Sequence, residues 1–243
     1  MNKKLIIGLA LVMLIVVGIG VGTMINSNDN MDENLNSANT NLNNENNIEN
    51  NSSDDEEKIS GDEKTLVVYF SMPETEAPNN MTTDEDNSAV VVDGKVLGNT
   101  QYVAMLIQEK TGADIYRIEP KEPYTTNHTD LVDQALKEQQ DDARPEIKDS
   151  INNFDEYDTI FVGYPIWWSD LPQILYTFLE SYDFEGKTVI PFSTHGGSGL
   201  ASTVSTIKKK LSNSNVEDNA FTMSRNNMEQ APGKVEEWLK EIQ

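Results

Sequence analysis

The 243-residue chain carries 18 Lys+Arg against 41 Asp+Glu, a formal net charge of −23, with two histidines and no cysteine. These counts exclude disulfides, iron–sulfur clusters, cysteine nucleophiles, lipid attachment through cysteine and a histidine-rich metal site. So acidic a chain repels the phosphates of nucleic acid, and no nucleic-acid partner is expected.

In chain order, Leu5 to Ile25 is apolar or glycine apart from Thr23. That length spans a hydrocarbon core of ~30 Å as a helix. Lys3 and Lys4 precede it and the next basic residue is Lys58, so the positive-inside bias sends the rest of the chain outward. Residues 1–25 are therefore expected to be a membrane anchor or signal segment. Cleavage after Gly20 or Gly22, giving a secreted protein, is the alternative, although the run is long for a signal peptide. From Asn26 to Asn51 half of the residues are asparagine, and Asp54-Asp55-Glu56-Glu57 follows. With so little apolar surface to offset its ordering entropy, 26–63 is expected to be a disordered tether. Residues 64–243, with 15 Lys+Arg and 30 Asp+Glu, are long enough to bury a core.

Short apolar runs then alternate with amphipathic ones. Strands are predicted at Thr65–Phe70, Asp114–Glu119, Thr159–Gly163, Thr188–Ser193 and Asn219–Met223. Helices are predicted over 99–110, Thr129–Asp142, Leu171–Ser181, 199–211 and Met228–Ile242. Strict alternation with right-handed crossovers points to an α/β doubly wound parallel sheet of five strands, order 2-1-3-4-5. A 26-residue insertion, 72–97, follows the first strand. Within it, Ala89 to Val96 reads as two short strands around Asp93-Gly94, expected to fold over the site as a flap.

Ligands of such sheets bind beyond the carboxyl ends of the strands, where the order reverses. Three loops are thereby nominated. After the first strand, Ser71 and then Gly98-Asn99-Thr100 at a helix start offer hydroxyls and free backbone N–H groups for a phosphate. After the third, Pro165-Ile166-Trp167-Trp168 places adjacent indoles in a loop, suited to stacking on a planar aromatic ligand, or to plugging the sheet end. After the fourth, Thr194-His195-Gly196-Gly197-Ser198-Gly199 lets the backbone approach a ligand closely.

With its G-Y-P-x-W-W and T-H-G-G-S-G loops, the chain resembles the flavodoxin family over about 65–241. The resemblance implies a flavodoxin-like fold, FMN as cofactor and electron transfer as the activity. It also implies that the family's phosphate loop maps onto Ser71, Gly98, Asn99, Thr100 and Gln101, with Leu97 where a threonine is expected. Residues 165–168 and 194–199 would flank the isoalloxazine. The acidic fold should then disfavour anionic reduced flavin and lower its potential. The alternatives are an FMN-dependent NAD(P)H or quinone reductase and a flavin-free surface binding module. The redox partner is an unidentified protein or quinone. No G-x-G-x-x-G follows the first strand, against a dinucleotide-binding domain, and Gly163 and Tyr164 stand where a receiver domain needs an aspartate.

Overall fold

The computed structural model describes residues 63–242; the apolar segment 5–25 and all but the last residue of the predicted tether lie outside them. Among the described residues no helix is long and apolar enough to cross a membrane.

The main sheet is built from β1 (Thr65–Tyr69), β4 (Asp114–Arg117), β5 (Thr159–Pro165), β6 (Thr188–His195), β7 (Asn215–Val216) and β8 (Phe221–Ser224). All its pairings are parallel, in the order β4-β1-β5-β6, with β7 and β8 both pairing along β6. The first four places follow the expected order. The fifth place differs: it is shared by two short strands, making six in all. β7 pairs with Thr188–Val189 and β8 with Phe192–His195. Between them the polar Glu217-Asp218-Asn219 turns back on itself, with the Asn219 N–H on Glu217 Oε1 (2.8 Å) and the Ala220 N–H on the Asp218 carbonyl (2.9 Å). Local bonds of this kind, the first to a side chain and the second within the backbone, compete with a sheet ladder.

Side chains alternate between two cores, as the two-residue period of a strand buried on both faces demands. Leu66, Val68, Phe70, Ile160, Val162 and Val189 face one core. It is closed by α3 (His128–Gln140), α4 (Gln173–Ser181) and α5 (Thr203–Lys210), through Leu131, Ile174, Phe178 and Ile207. Val67, Tyr69, Phe161, Ile190 and Phe192 face the other, closed by α2 (Asn99–Thr111) and α6 (Ala231–Glu241) through Val103, Ile107, Val235 and Trp238. Helices on both faces of a parallel sheet make the fold doubly wound. Two predicted helices start later than expected: 199–202 forms turns before α5, and a 3-10 segment, Arg225–Gln230, precedes α6.

The insertion is ordered. It holds α1 (Thr83–Ser88), which was not predicted, and an antiparallel hairpin of β2 (Ala89–Val92) and β3 (Lys95–Gly98). Thr82 and Glu85 close α1 with a reciprocal capping box (3.3 and 2.6 Å), a signal present in the sequence. Val90, Val92 and Leu97 pack on the core of α2 and α6. The hairpin is thus seated beside α2, and the insertion's approach to the site is made by other residues.

Gly163 in β5 stands opposite Phe192 in β6, and a Cβ on it would lie 2.1 Å from Phe192 Cζ. Phe192 is fully buried and has no room to retreat. Gly163→Ala is therefore expected to destabilise the domain by about 1–3 kcal/mol, as overpacking does. A lower urea midpoint with unchanged m-value would register it; an unchanged midpoint would show that the sheet absorbs the methyl.

Candidate functional site

Because all strands of the main sheet run the same way, their carboxyl ends and the following helix N-termini gather at one edge. A cavity of about 240 Å³ opens there, with walls from all three nominated loops.

The first wall is the start of α2. Ser71, Asn99 and Thr100 line the cavity, and all three are nearly inaccessible to solvent. Ser71 is in place despite the insertion: a Cβ on Gly98 would lie 2.1 Å from Ser71 Oγ. The absence of a side chain at Gly98 is what lets the two ends of the insertion meet. Arg117 steadies the arrangement by donating to the Ser71 carbonyl (3.0 Å). Gln101 does not line the cavity; its side chain accepts from the Gly98 N–H (3.2 Å). A glycine cap has no side chain to satisfy the next N–H groups, so the helix start presents them with its positive dipole end. The Thr100 and Thr194 hydroxyls pair at 2.8 Å. Two hydroxyls own two protons and share one, so the pair keeps one O–H to give.

The second wall separates the two indoles. Trp167 is half-buried and meets Phe70 and Tyr124 edge-on, each with ring centroids 5.4 Å away; it plugs the sheet end while also lining the cavity. Trp168 is 48 % exposed, and its indole N–H donates to the Val132 carbonyl of α3 (3.0 Å). Trp167 and Asp170 exchange both backbone bonds (3.0 and 2.9 Å), with Trp168 and Ser169 at φ +47° and +62°. This is the turn that Asn-Gly normally fills. A bulky residue in left-handed backbone costs about 1–2 kcal/mol, and here it presents an indole at the cavity rim.

In the third wall, Thr194, His195 and Gly196 line the cavity, as do Pro165 and Ile166 from the second loop. Gly197, Ser198 and Gly199 do not; they form the turn beyond it. His195 Nδ1 accepts from the Gly197 N–H (2.9 Å), so the histidine shapes its own loop.

Several lining residues carry no signal of a site in the sequence: Glu74, Asn87 and Ser88 of the insertion, His128 and Leu131 of α3, and Arg225 just past β8. The Arg225 guanidinium lies against Gly196, 3.1 Å from where a Cβ would sit. His128 and Arg225 follow the second and fifth strands, so they too emerge at the carboxyl edge. Glu74 is buried, and both its oxygens lie near His128 Nδ1 (3.1 and 3.2 Å). Burial pushes its carboxyl up, while the bond and charge of His128 pull it back. Asn99 Nδ2 donates to the Asn87 carbonyl (3.0 Å), but Asn99 Oδ1 has no partner, and neither has Arg225 Nε. Among the described residues these are the two buried side-chain polar atoms left unpaired, and both belong to residues lining one cavity.

A flavodoxin family model matches residues 89–242. The chain belongs to the flavodoxin family. A solved structure of a protein from Bacteroides eggerthii, provisionally named a flavoprotein, is 30% identical over 74% of this chain and 98% of its own, with a TM-score of 0.56. A second, from Bacteroides uniformis and likewise named, is 30% identical over 73% and 98%, at 0.54. A flavoprotein from Lactobacillus acidophilus in complex with FMN shares the fold at 20% identity, 73% and 99% coverage and a TM-score of 0.51. No curated protein matches the chain. Within this flavodoxin fold the family match begins at Ala89, so Ser71 and Glu74 fall before it.

Burial depresses the His195 imidazole below its ordinary 6.5. The neutral form that accepts from Gly197 is thus favoured by folding. Its contribution to stability is fully present above pH 6.5 and is lost as pH falls through the lower folded value. Urea midpoints of wild type and His195→Asn, measured from pH 8 to 4.5, should diverge least at the acid end. Parallel profiles would show that His195 does not titrate with folding.

Proposed function

We propose that the folded unit binds FMN in this cavity and serves as an electron-transfer flavoprotein, tethered to the outer face of a membrane by residues 5–25. The observation that carries the cofactor is the pair of orphaned polar atoms. A buried polar group left without a partner costs about 1–3 kcal/mol, and Asn99 Oδ1 and Arg225 Nε stand unpaired at the same cavity. A ligand offering both a hydroxyl donor and an anionic or carbonyl acceptor relieves both. FMN has ribityl hydroxyls, a phosphate and a carbonyl-bearing ring.

The remaining residues fit such a group. The N-terminus of α2, Ser71 and the spare proton of the Thr100–Thr194 pair suit a phosphate. Trp168 offers an exposed aromatic face at the rim. The FMN bound by the Lactobacillus acidophilus protein of the same fold, and the provisional naming of two 30%-identical proteins as flavoproteins, support this reading. Bound FMN supplies the redox chemistry; the chain supplies position and electrostatics. The surface acidic groups act across screening solvent, whereas Arg225 lies in the cavity wall. Its cation offsets locally the penalty that the net charge would impose on an anionic reduced ring. A reductase on the same fold is the second reading, favoured by the pairing of buried Glu74 with half-buried His128, which electron carriage does not require.

Trp168→Ala should weaken FMN by roughly 1–3 kcal/mol, the worth of a base-type stack, with little change in urea midpoint. Trp167→Ala should chiefly lower the midpoint, because it opens a hole beside Phe70 and Tyr124. Flavin fluorescence titration and denaturation of both variants check this. Unchanged affinity in Trp168→Ala would remove the stacking role.

The tether rests on the apolar run, the Lys3-Lys4 flank and the lack of any Lys or Arg from residue 5 to 57. Trypsin added to intact cells should cut first at Lys58 and release a soluble unit of about 180 residues. Survival of the intact chain until the cells are lysed would contradict the outward orientation.

A further inference from the structure

The cavity contains an ionisable pair that flavin binding leaves without a purpose. Glu74 comes from the insertion, with its side chain 4 % exposed, and His128 is the first residue of α3, with its side chain 33 % exposed. Two anchors hold them. The Glu74 N–H donates to Ser88 Oγ (3.0 Å), and the Asn127 side chain caps α3 by accepting from the Asp130 N–H (3.1 Å). A buried carboxylate is expensive unless it is paired, and here it stands in the wall of a ligand cavity instead of being replaced by an apolar residue. With the Glu74 oxygens on Nδ1, the carboxylate fixes the orientation of the ring. When the ring carries its second proton, the Nε2 edge is the one left to give it.

We propose that His128, positioned by Glu74, delivers a proton in this cavity to an acceptor that takes up hydrogen together with electrons, of the quinone class. The inference rests on the FMN reading above. The balance is simple. With FMN bound and reduced, the flavin would supply a hydride, with its two electrons, to one carbonyl oxygen of the quinone. The His128 Nε2–H bond would break as the O–H bond at the second oxygen forms. The flavin would end oxidised and the quinone as hydroquinone. His128, partly exposed, takes its next proton from solvent. The charged and titratable groups around the pair are Asp84 and Glu85 of α1, which act on Glu74 electrostatically, Asp130 in the first turn of α3, and His195 and Arg225 elsewhere in the cavity wall. Burial, which raises the Glu74 carboxyl, is opposed by His128, so the carboxylate depends on its partner.

The test uses the full chain in detergent, loaded with FMN and reduced with dithionite. It is mixed with a water-soluble benzoquinone, which needs a proton, or with ferricyanide, which does not. In His128→Gln the quinone-to-ferricyanide rate ratio should fall by about 100-fold or more, the usual worth of a positioned proton donor. In Glu74→Gln it should fall by a smaller factor. For the wild type, deuterated solvent should slow the quinone reaction alone. Histidine-labelled NMR of the flavin-free protein should show a slowly exchanging Nδ1–H at His128 that Glu74→Gln abolishes. If His128→Gln does not fold, the Glu74→Gln ratio and the NMR signal decide. An unchanged ratio, no isotope effect or no such proton would overturn the proposal while FMN still binds. Failure of the wild type to bind FMN would instead sink the cofactor reading itself.

Discussion

A parallel sheet gathers the ends of its strands, and that constraint shapes the rest of this molecule. Each crossover returns the chain so that every strand of the main sheet points at the same edge. Loops separated by tens of residues then share one cavity. Ser71 and Thr194 are far apart in the chain, yet both line it, and Thr194 shares a proton with Thr100 at 2.8 Å. The same edge collects the helix N-termini, so its field favours anions even though the protein as a whole is strongly acidic. Arg225 adds a full positive charge where the chain leaves β8. Local and global electrostatics therefore have opposite signs, and at a cavity wall the local one prevails because solvent screens it least.

The insertion tests how robust that edge is. Twenty-six residues separate Ser71 from Gly98, but the serine hydroxyl lies where a Gly98 side chain would begin. The loop therefore leaves and returns at one point, and closing it is entropically modest because that cost grows slowly with length. Its hairpin buries Val90, Val92 and Leu97 on the α2 side, which anchors it without covering the cavity. What the insertion adds to the cavity is polar: Glu74, Asn87 and Ser88. Asn87 holds Asn99 through its carbonyl, and Ser88 holds Glu74. A segment inserted between Ser71 and Gly98 has thus become part of the cavity wall.

Much of the fold was legible in the sequence because strands buried on both faces read as unbroken apolar runs. Thr65–Phe70 and Thr188–Ser193 are of this kind, and β1 and β6 formed there. The fifth strand was not fully legible, because the polar turn at 217–220 splits it through local hydrogen bonds that hydropathy does not register. The helix starts before α5 and α6 shifted for a similar reason, since turns and 3-10 segments share the apolar spacing of the helix they precede. The three loops could be nominated from topology and composition. Glu74, His128 and Arg225 could not, because single polar residues more than fifty positions apart carry no pattern until the fold brings them together. The roles of Trp167 and Trp168 were also indistinguishable as letters. They separated once the turn at 167–170 turned one indole inward and the other out.

The central claim is that this edge holds FMN with the phosphate at the start of α2 and the ring near Trp168. Calorimetric titration of the apo domain with FMN and with riboflavin tests it most directly. The two ligands share the ring and the ribityl chain, and they differ by the phosphate, which is proposed to sit against Ser71, Thr100 and the free N–H groups of α2. The account predicts that FMN binds far more tightly than riboflavin, because charge-assisted bonds to a helix start are individually strong. Equal affinities, or no binding of either, would contradict it.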